Sequence, residues 1–91
     1  MRQIKLTGRE VSVVRAIGFT EAMAGAEILE FTRMEPEDVT DVLNSLMSAG
    51  FVESVPYFEQ VDMAAMPVTM FELNPGYIHE IKAAFYKNQS R

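Results

Sequence analysis

The chain has 91 residues, of which 48% are hydrophobic and 23% charged, with a formal net charge of −5 and no cysteine. This composition excludes a disordered chain, and the missing cysteines exclude disulfides, thiolate metal sites and thiol nucleophiles. With no apolar run long enough for a membrane span and no signal-peptide core after Met1, we expect one cytoplasmic domain over residues 1–91 that does not contact membranes.

Two helices are predicted in the first third of the chain. Thr7 and Glu10 have the spacing of a capping box, which begins a helix at about 7–18 that Gly18 ends. An alanine-rich stretch predicts a second helix at about 21–33, because alanine has the highest helix propensity. The inward positions of this second helix are expected to be Ala24, Ile28, Leu29 and Phe31.

A third helix is predicted at about 36–49. Pro36 suits a first helical position, and the acidic residues that follow it are favoured there by the helix dipole. Gly50 ends the helix. Apolar residues recur through it at helical spacing and form a stripe that faces the core, at Val39, Val42, Leu43, Leu46 and Met47.

A β-hairpin and a last helix complete the chain. Two short stretches rich in β-formers predict a hairpin with a long tip over residues 51–73. Asn74 then begins a final helix at about 75–87. We expect an apolar stripe on this helix to join two copies as a homodimer, although packing against the first helix is an open alternative. The stripe consists of Ile78, Ile81 and Phe85.

Three short motifs carry a resemblance to a known superfamily. They are Ala-Glu-Ile-Leu at 26–29, Ala-Gly-Phe-Val at 49–52 and Phe-Glu-Leu-Asn-Pro-Gly at 71–76. With this order of elements the chain resembles the winged helix-turn-helix superfamily, particularly small bacterial and archaeal transcriptional regulators of the multiple-antibiotic-resistance and phenolic-acid-repressor types. The resemblance implies an α+β, mostly helical fold: a three-helix bundle with a helix-turn-helix, a β-hairpin wing and a C-terminal helix. In relatives that bind DNA, the third helix enters the major groove.

The charge distribution opposes DNA binding here. Between Met34 and Ile81 the chain has nine carboxylates and neither lysine nor arginine, whereas DNA-binding modules set cationic side chains against phosphates. An acidic third helix and an apolar wing tip favour a protein partner with a basic surface, although the tip could instead fold back on the domain. The predicted partner contacts are Glu37, Asp38, Asp41, Tyr57, Phe58, Val61 and Met63.

The alternative function is that of a sequence-specific DNA-binding regulator. By the resemblance, the third helix would then contact bases through Thr40, Asn44 and Ser45. The cations outside the acidic segment, five before it and three after it, would hold the DNA backbone.

Catalytic motifs are missing from the sequence. His79 is the only histidine, and Ala83 stands where a zinc-protease motif has its second one. Neither a serine elbow nor a phosphate-binding glycine pattern is present. We therefore predict a non-catalytic protein without metal or cofactor.

Overall fold

The computed structural model describes residues 6–19 and 21–89, with side chains as far as Lys87. In this part of the chain, the fold is α+β, as predicted. The helices are α1 (Gly8–Ile17), α2 (Gly25–Thr32), α3 (Pro36–Ser48) and α4 (Ile78–Gln89). The strands are β1 (Met23–Ala24), β2 (Val52–Val55) and β3 (Met70–Leu73), with short 3-10 turns at Met66–Val68 and Pro75–Tyr77.

The capping box predicted for α1 is present. The Thr7 hydroxyl accepts a hydrogen bond from the Glu10 N–H at 3.4 Å, and the Glu10 carboxylate accepts one from the Thr7 N–H at 2.8 Å. Gly18 ends the helix with φ 78°, a conformation that favours glycine, and its N–H donates to the Val14 carbonyl. Local sequence signals therefore set both ends of α1.

The prediction for the start of the second helix was wrong. Met23 and Ala24 form β1, which pairs with Phe71 and Met70 of β3, so α2 begins only at Gly25. The pairing partners lie more than forty residues away, and such long-range hydrogen bonding overrides the local helix propensity of alanine.

The expected inner face of α2 was also partly wrong. Gly25 and Ile28 are buried and Leu29 packs against the core, but the Phe31 side chain is 62% exposed. Successive side chains of an α-helix are turned by about 100° around its axis. The Phe31 side chain therefore points away from the face that Gly25, Ile28 and Leu29 share. Phe31 is therefore a surface residue.

The three strands form one antiparallel sheet in the order β1-β3-β2. Phe71 lies opposite both Met23 and Ser54, and Leu73 lies opposite Val52. The inner face of the sheet packs on the helices and includes the fully buried Phe71. The helices add further fully buried side chains to this core, including Val13, Val14, Ile28, Val39, Leu43 and Leu46.

Helix α4 closes the same core, which corrects the predicted dimer contact. The Ile81 and Phe85 side chains are only 0% and 7% exposed, and Ile78 is partly buried against the core. The stripe therefore packs within the chain, and two copies cannot share it without opening the core. None of the helices in the described residues is long and apolar enough to cross a bilayer.

Candidate protein-interaction surface

The connection between β2 and β3 folds back over α3. The Asn44 side-chain amide accepts a hydrogen bond from the Val61 N–H at 2.8 Å and donates one to the Val61 carbonyl at 2.9 Å. The Gln60 amide donates to the Ser48 hydroxyl at 3.2 Å. Val61 is consequently buried, with 6% exposure. These contacts hold the middle of the connection against α3.

The second half of the connection is anchored to α2. The Asp62 carboxylate accepts from the Ala65 N–H at 2.8 Å, which caps the turn that leads to the fully buried Met66. A Cβ on Gly25 would clash with the Met66 carbonyl and approach the Met66 sulfur to 2.7 Å, so glycine is required there. The Gly25 N–H also donates to the Thr69 carbonyl at 2.9 Å. Two helices therefore fix the connection.

A buried serine orders the turn after β2. The Ser54 hydroxyl donates to the Pro56 carbonyl at 2.9 Å and accepts from the Phe58 N–H at 2.8 Å. This turn holds the neighbouring Tyr57 side chain 75% exposed and Phe58 42% exposed. The two aromatic rings are thus presented to solvent by an ordered backbone, which lowers the entropic cost of binding a partner.

Three of the four apolar side chains predicted for partner contact remain exposed: Tyr57, Phe58 and Met63. The prediction for Val61 was wrong, because this side chain fills the space over α3. The structure adds three exposed side chains that sequence reasoning missed, Val55, Val68 and Met70. We name these six exposed residues the wing surface.

Two of these additions, Val55 and Met70, follow from the sheet register. Val55 and Met70 lie directly opposite each other, and Ala24 lies on the other side of Met70, so all three share the outer face of the sheet. The alternation of exposed and buried residues in β2 and β3 was the available signal. This alternation is a weak signal in strands of only four residues. The outer face of the sheet could therefore be identified only from the strand pairing.

Helix α3 presents a smaller acidic face than expected. Glu37 and Asp41 are exposed, as the prediction required. Asp38 is different, because its carboxylate lies 3.6 Å from the Arg9 guanidinium of α1 and its side chain is 34% exposed. The Asp38 carboxylate is thus turned towards α1, and its role in partner contact stays a prediction.

The residues predicted to read DNA are mostly occupied inside the chain. Thr40 is buried and donates its hydroxyl hydrogen to the Pro36 carbonyl at 2.8 Å, so it is not on the outer face of α3. Asn44 is bonded to Val61 on both sides of its amide, and only Ser45 is exposed. The expectation of three accessible base-reading side chains was therefore wrong for Thr40 and Asn44.

Two of the positive charges lie against aromatic rings. The Arg15 guanidinium of α1 is 5.7 Å from the Phe85 ring centre, and the Lys82 ammonium of α4 is 5.5 Å from that of Phe19. These contacts have the geometry of cation–π interactions. They place these two cations at the junction of α1 and α4.

Comparison of the chain with family models, curated proteins and solved structures found no match. Among the residues that the structure describes, no three His, Cys, Asp or Glu side chains form a group that could hold a metal ion.

Proposed function

We propose that the chain is a non-catalytic winged-helix domain of the transcriptional-regulator type that binds a protein partner with a basic surface. The contact would use the wing surface together with Glu37 and Asp41 of α3. The observation that carries the proposal is the pair of hydrogen bonds between Asn44 and Val61, because they hold the connection over the helix that would otherwise enter a DNA groove.

The order of the elements supports the winged-helix part of this proposal. A helix and a short strand precede α2 and α3, and two longer strands with an extended connection follow them. The first strand pairs with the last one in the order β1-β3-β2. This layout is compatible with a winged helix, in which α3 takes the recognition position and the 56–69 connection takes the place of the wing.

The side chains of the wing surface suit a protein contact. Tyrosine and phenylalanine each bury about 150–250 Å² when they are covered, and tyrosine is enriched among the residues that dominate binding energy. Tyr57 and Phe58 would act as anchors on their ordered turn. Glu37 and Asp41 would mainly raise the association rate with a basic partner and set its orientation, because exposed charges contribute more to steering than to affinity.

DNA binding is the second candidate, and the winged-helix layout with an exposed Ser45 favours it. It would require the Gln60 and Val61 segment to leave α3, with loss of three side-chain hydrogen bonds and exposure of the Val61 side chain. The uncovered surface would still contain no cation from residues 34 to 81. Protein contact needs no such rearrangement, and we therefore prefer it.

The first test is fluorescence anisotropy with labelled, fragmented genomic DNA at low and near-physiological salt. We expect no salt-dependent binding. Ser45→Ala is the informative variant, because it removes the one exposed base-reading candidate without disturbing the Asn44 contacts. Tight binding that weakens steeply with salt and is lost in Ser45→Ala would overturn the proposal in favour of DNA recognition.

The second test is quantitative affinity capture from the source cells with matched variants. We expect at least one captured protein to be lost with Tyr57→Ser, and its capture to weaken with Asp41→Asn. Tyr86→Ser is the matched control, since Tyr86 is also largely exposed but belongs to α4. Equal capture by Tyr57→Ser and the wild type would contradict a role for the wing surface.

A further inference from the structure

A shallow groove on the outer side of α2 is separate from the surface proposed above. It is lined by Met23, Glu27, Glu30 and Phe31 and has a volume of about 300 Å³. This lies at the small end of the range of roughly 300–1,000 Å³ typical of ligand pockets, so it suits one side chain better than a cofactor. We propose that the groove binds an arginine side chain of a partner protein.

The walls of the groove match the aliphatic and planar parts of arginine. Phe31 is 62% exposed, and the partly buried Met23 lies beside it. The three methylenes of an arginine side chain can pack along Met23, while the guanidinium plane stacks on the Phe31 ring. Covering this phenylalanine also removes one of the largest exposed apolar side chains of the described residues from water.

The charge of the groove selects a cation. Glu27 lies one helical turn before Glu30 and Phe31, at spacings of three and four residues, and all three side chains line the groove. One Glu27 oxygen accepts from the Ala24 N–H at 3.1 Å. In residues 6–19 and 21–89 the only ion pair within 4.0 Å joins Arg9 and Asp38, so neither groove carboxylate has an ion-pair partner among these residues.

Arginine fits these groups better than lysine does. A guanidinium is planar, donates two parallel hydrogen bonds to one carboxylate, and loses less hydration on stacking than an ammonium does. In the groove it would donate to Glu30 while its face lies on Phe31. An ammonium offers a point charge without the stacking face. This difference gives the proposal a direct chemical test.

The test is a titration of the 15N-labelled chain followed by two-dimensional NMR. The probes are Nα-acetyl-arginine amide, the citrulline analogue, which has nearly the same shape but no charge, and the lysine analogue. We expect saturable shifts for the amides of residues 23–31 with the arginine probe. The lysine probe should bind roughly fivefold more weakly, and citrulline should leave these amides unshifted.

Variants locate the binding on the groove. Phe31→Leu and Glu30→Gln should each weaken arginine binding roughly fivefold, while Glu21→Gln and Phe58→Leu, changes of the same chemistry at other exposed positions, should leave it unchanged. The same spectra report whether each variant is folded. Absence of saturable shifts in the wild type would overturn the proposal. So would arginine binding by Phe31→Leu and Glu30→Gln that is as tight as that of the wild type. Because none of the residues that line the groove belongs to the wing surface, failure of this test leaves the proposed function untouched.

Discussion

Asn44→Ala is the substitution that most directly tests how the connection between β2 and β3 is held against α3. It removes the side-chain hydrogen bonds of 2.8 and 2.9 Å that join α3 to the Val61 backbone. Each such bond contributes about 1 kcal/mol, and the Val61 N–H and carbonyl lose their partners in a part-buried position. We therefore expect the free energy of unfolding to fall by about 2 kcal/mol. For a domain of this size, that corresponds to a Tm lowered by roughly 8–16 °C.

Two measurements separate a local from a global effect of Asn44→Ala. Urea denaturation followed by circular dichroism gives the loss in free energy of unfolding. Native-state hydrogen exchange of the Val61 amide reports whether the connection has left α3 while the core remains folded. Ser45→Ala is the matched control: it changes the adjacent exposed position of α3 and should alter stability by less than about 0.5 kcal/mol.

A small effect of Asn44→Ala would contradict the role of this side chain. If the variant lowers stability by less than about 0.5 kcal/mol and the Val61 amide keeps its protection, the hydrogen bonds of Asn44 do not hold the connection. The connection would then be held over α3 by other contacts, such as the packing of the buried Val61 side chain. If the Val61 amide instead loses its protection while the free energy of unfolding changes little, the connection detaches from α3 locally and the core stays folded.

Three further substitutions test the packing. Gly25→Ala should destabilise the fold by about 3 kcal/mol, because the added methyl meets the Met66 backbone and one of them must move; a thermal melt with unchanged Tm would contradict this tight contact. Thr7→Ala should cost about 1 kcal/mol in urea denaturation through loss of the capping bond from the Glu10 N–H, and an unchanged midpoint would show that the cap is dispensable. Ile81→Ala should cost about 2–5 kcal/mol without changing the molar mass seen by light scattering, whereas conversion of a wild-type dimer into a folded monomer would restore the dimer role.

Local signals in the sequence were sufficient for most helix ends and for the regional charge. The Thr7 capping box and Gly18 bound α1, and Pro36 begins α3, because each acts through hydrogen bonds or dihedral angles within a few residues. The apolar periodicity of α3 likewise identified its buried face from Val39 to Leu46. The lack of cations between residues 34 and 81 is a property of the sequence alone, and it is what first favoured a protein partner.

Long-range packing sets which side chains of the candidate surface are free. Pairing with β3 turned Met23 and Ala24 into a strand, and the approach of Met66 to Gly25 set the inner face of α2 and left Phe31 exposed. Asn44 is bonded to a residue 17 positions away, a partner that no helical spacing reveals. Burial and hydrogen bonding depend on which distant segments meet, whereas propensity and capping depend on neighbours in the chain. Local signals thus set both ends of α1 and the start of α3, whereas long-range packing set the start of α2 and what each face can contact.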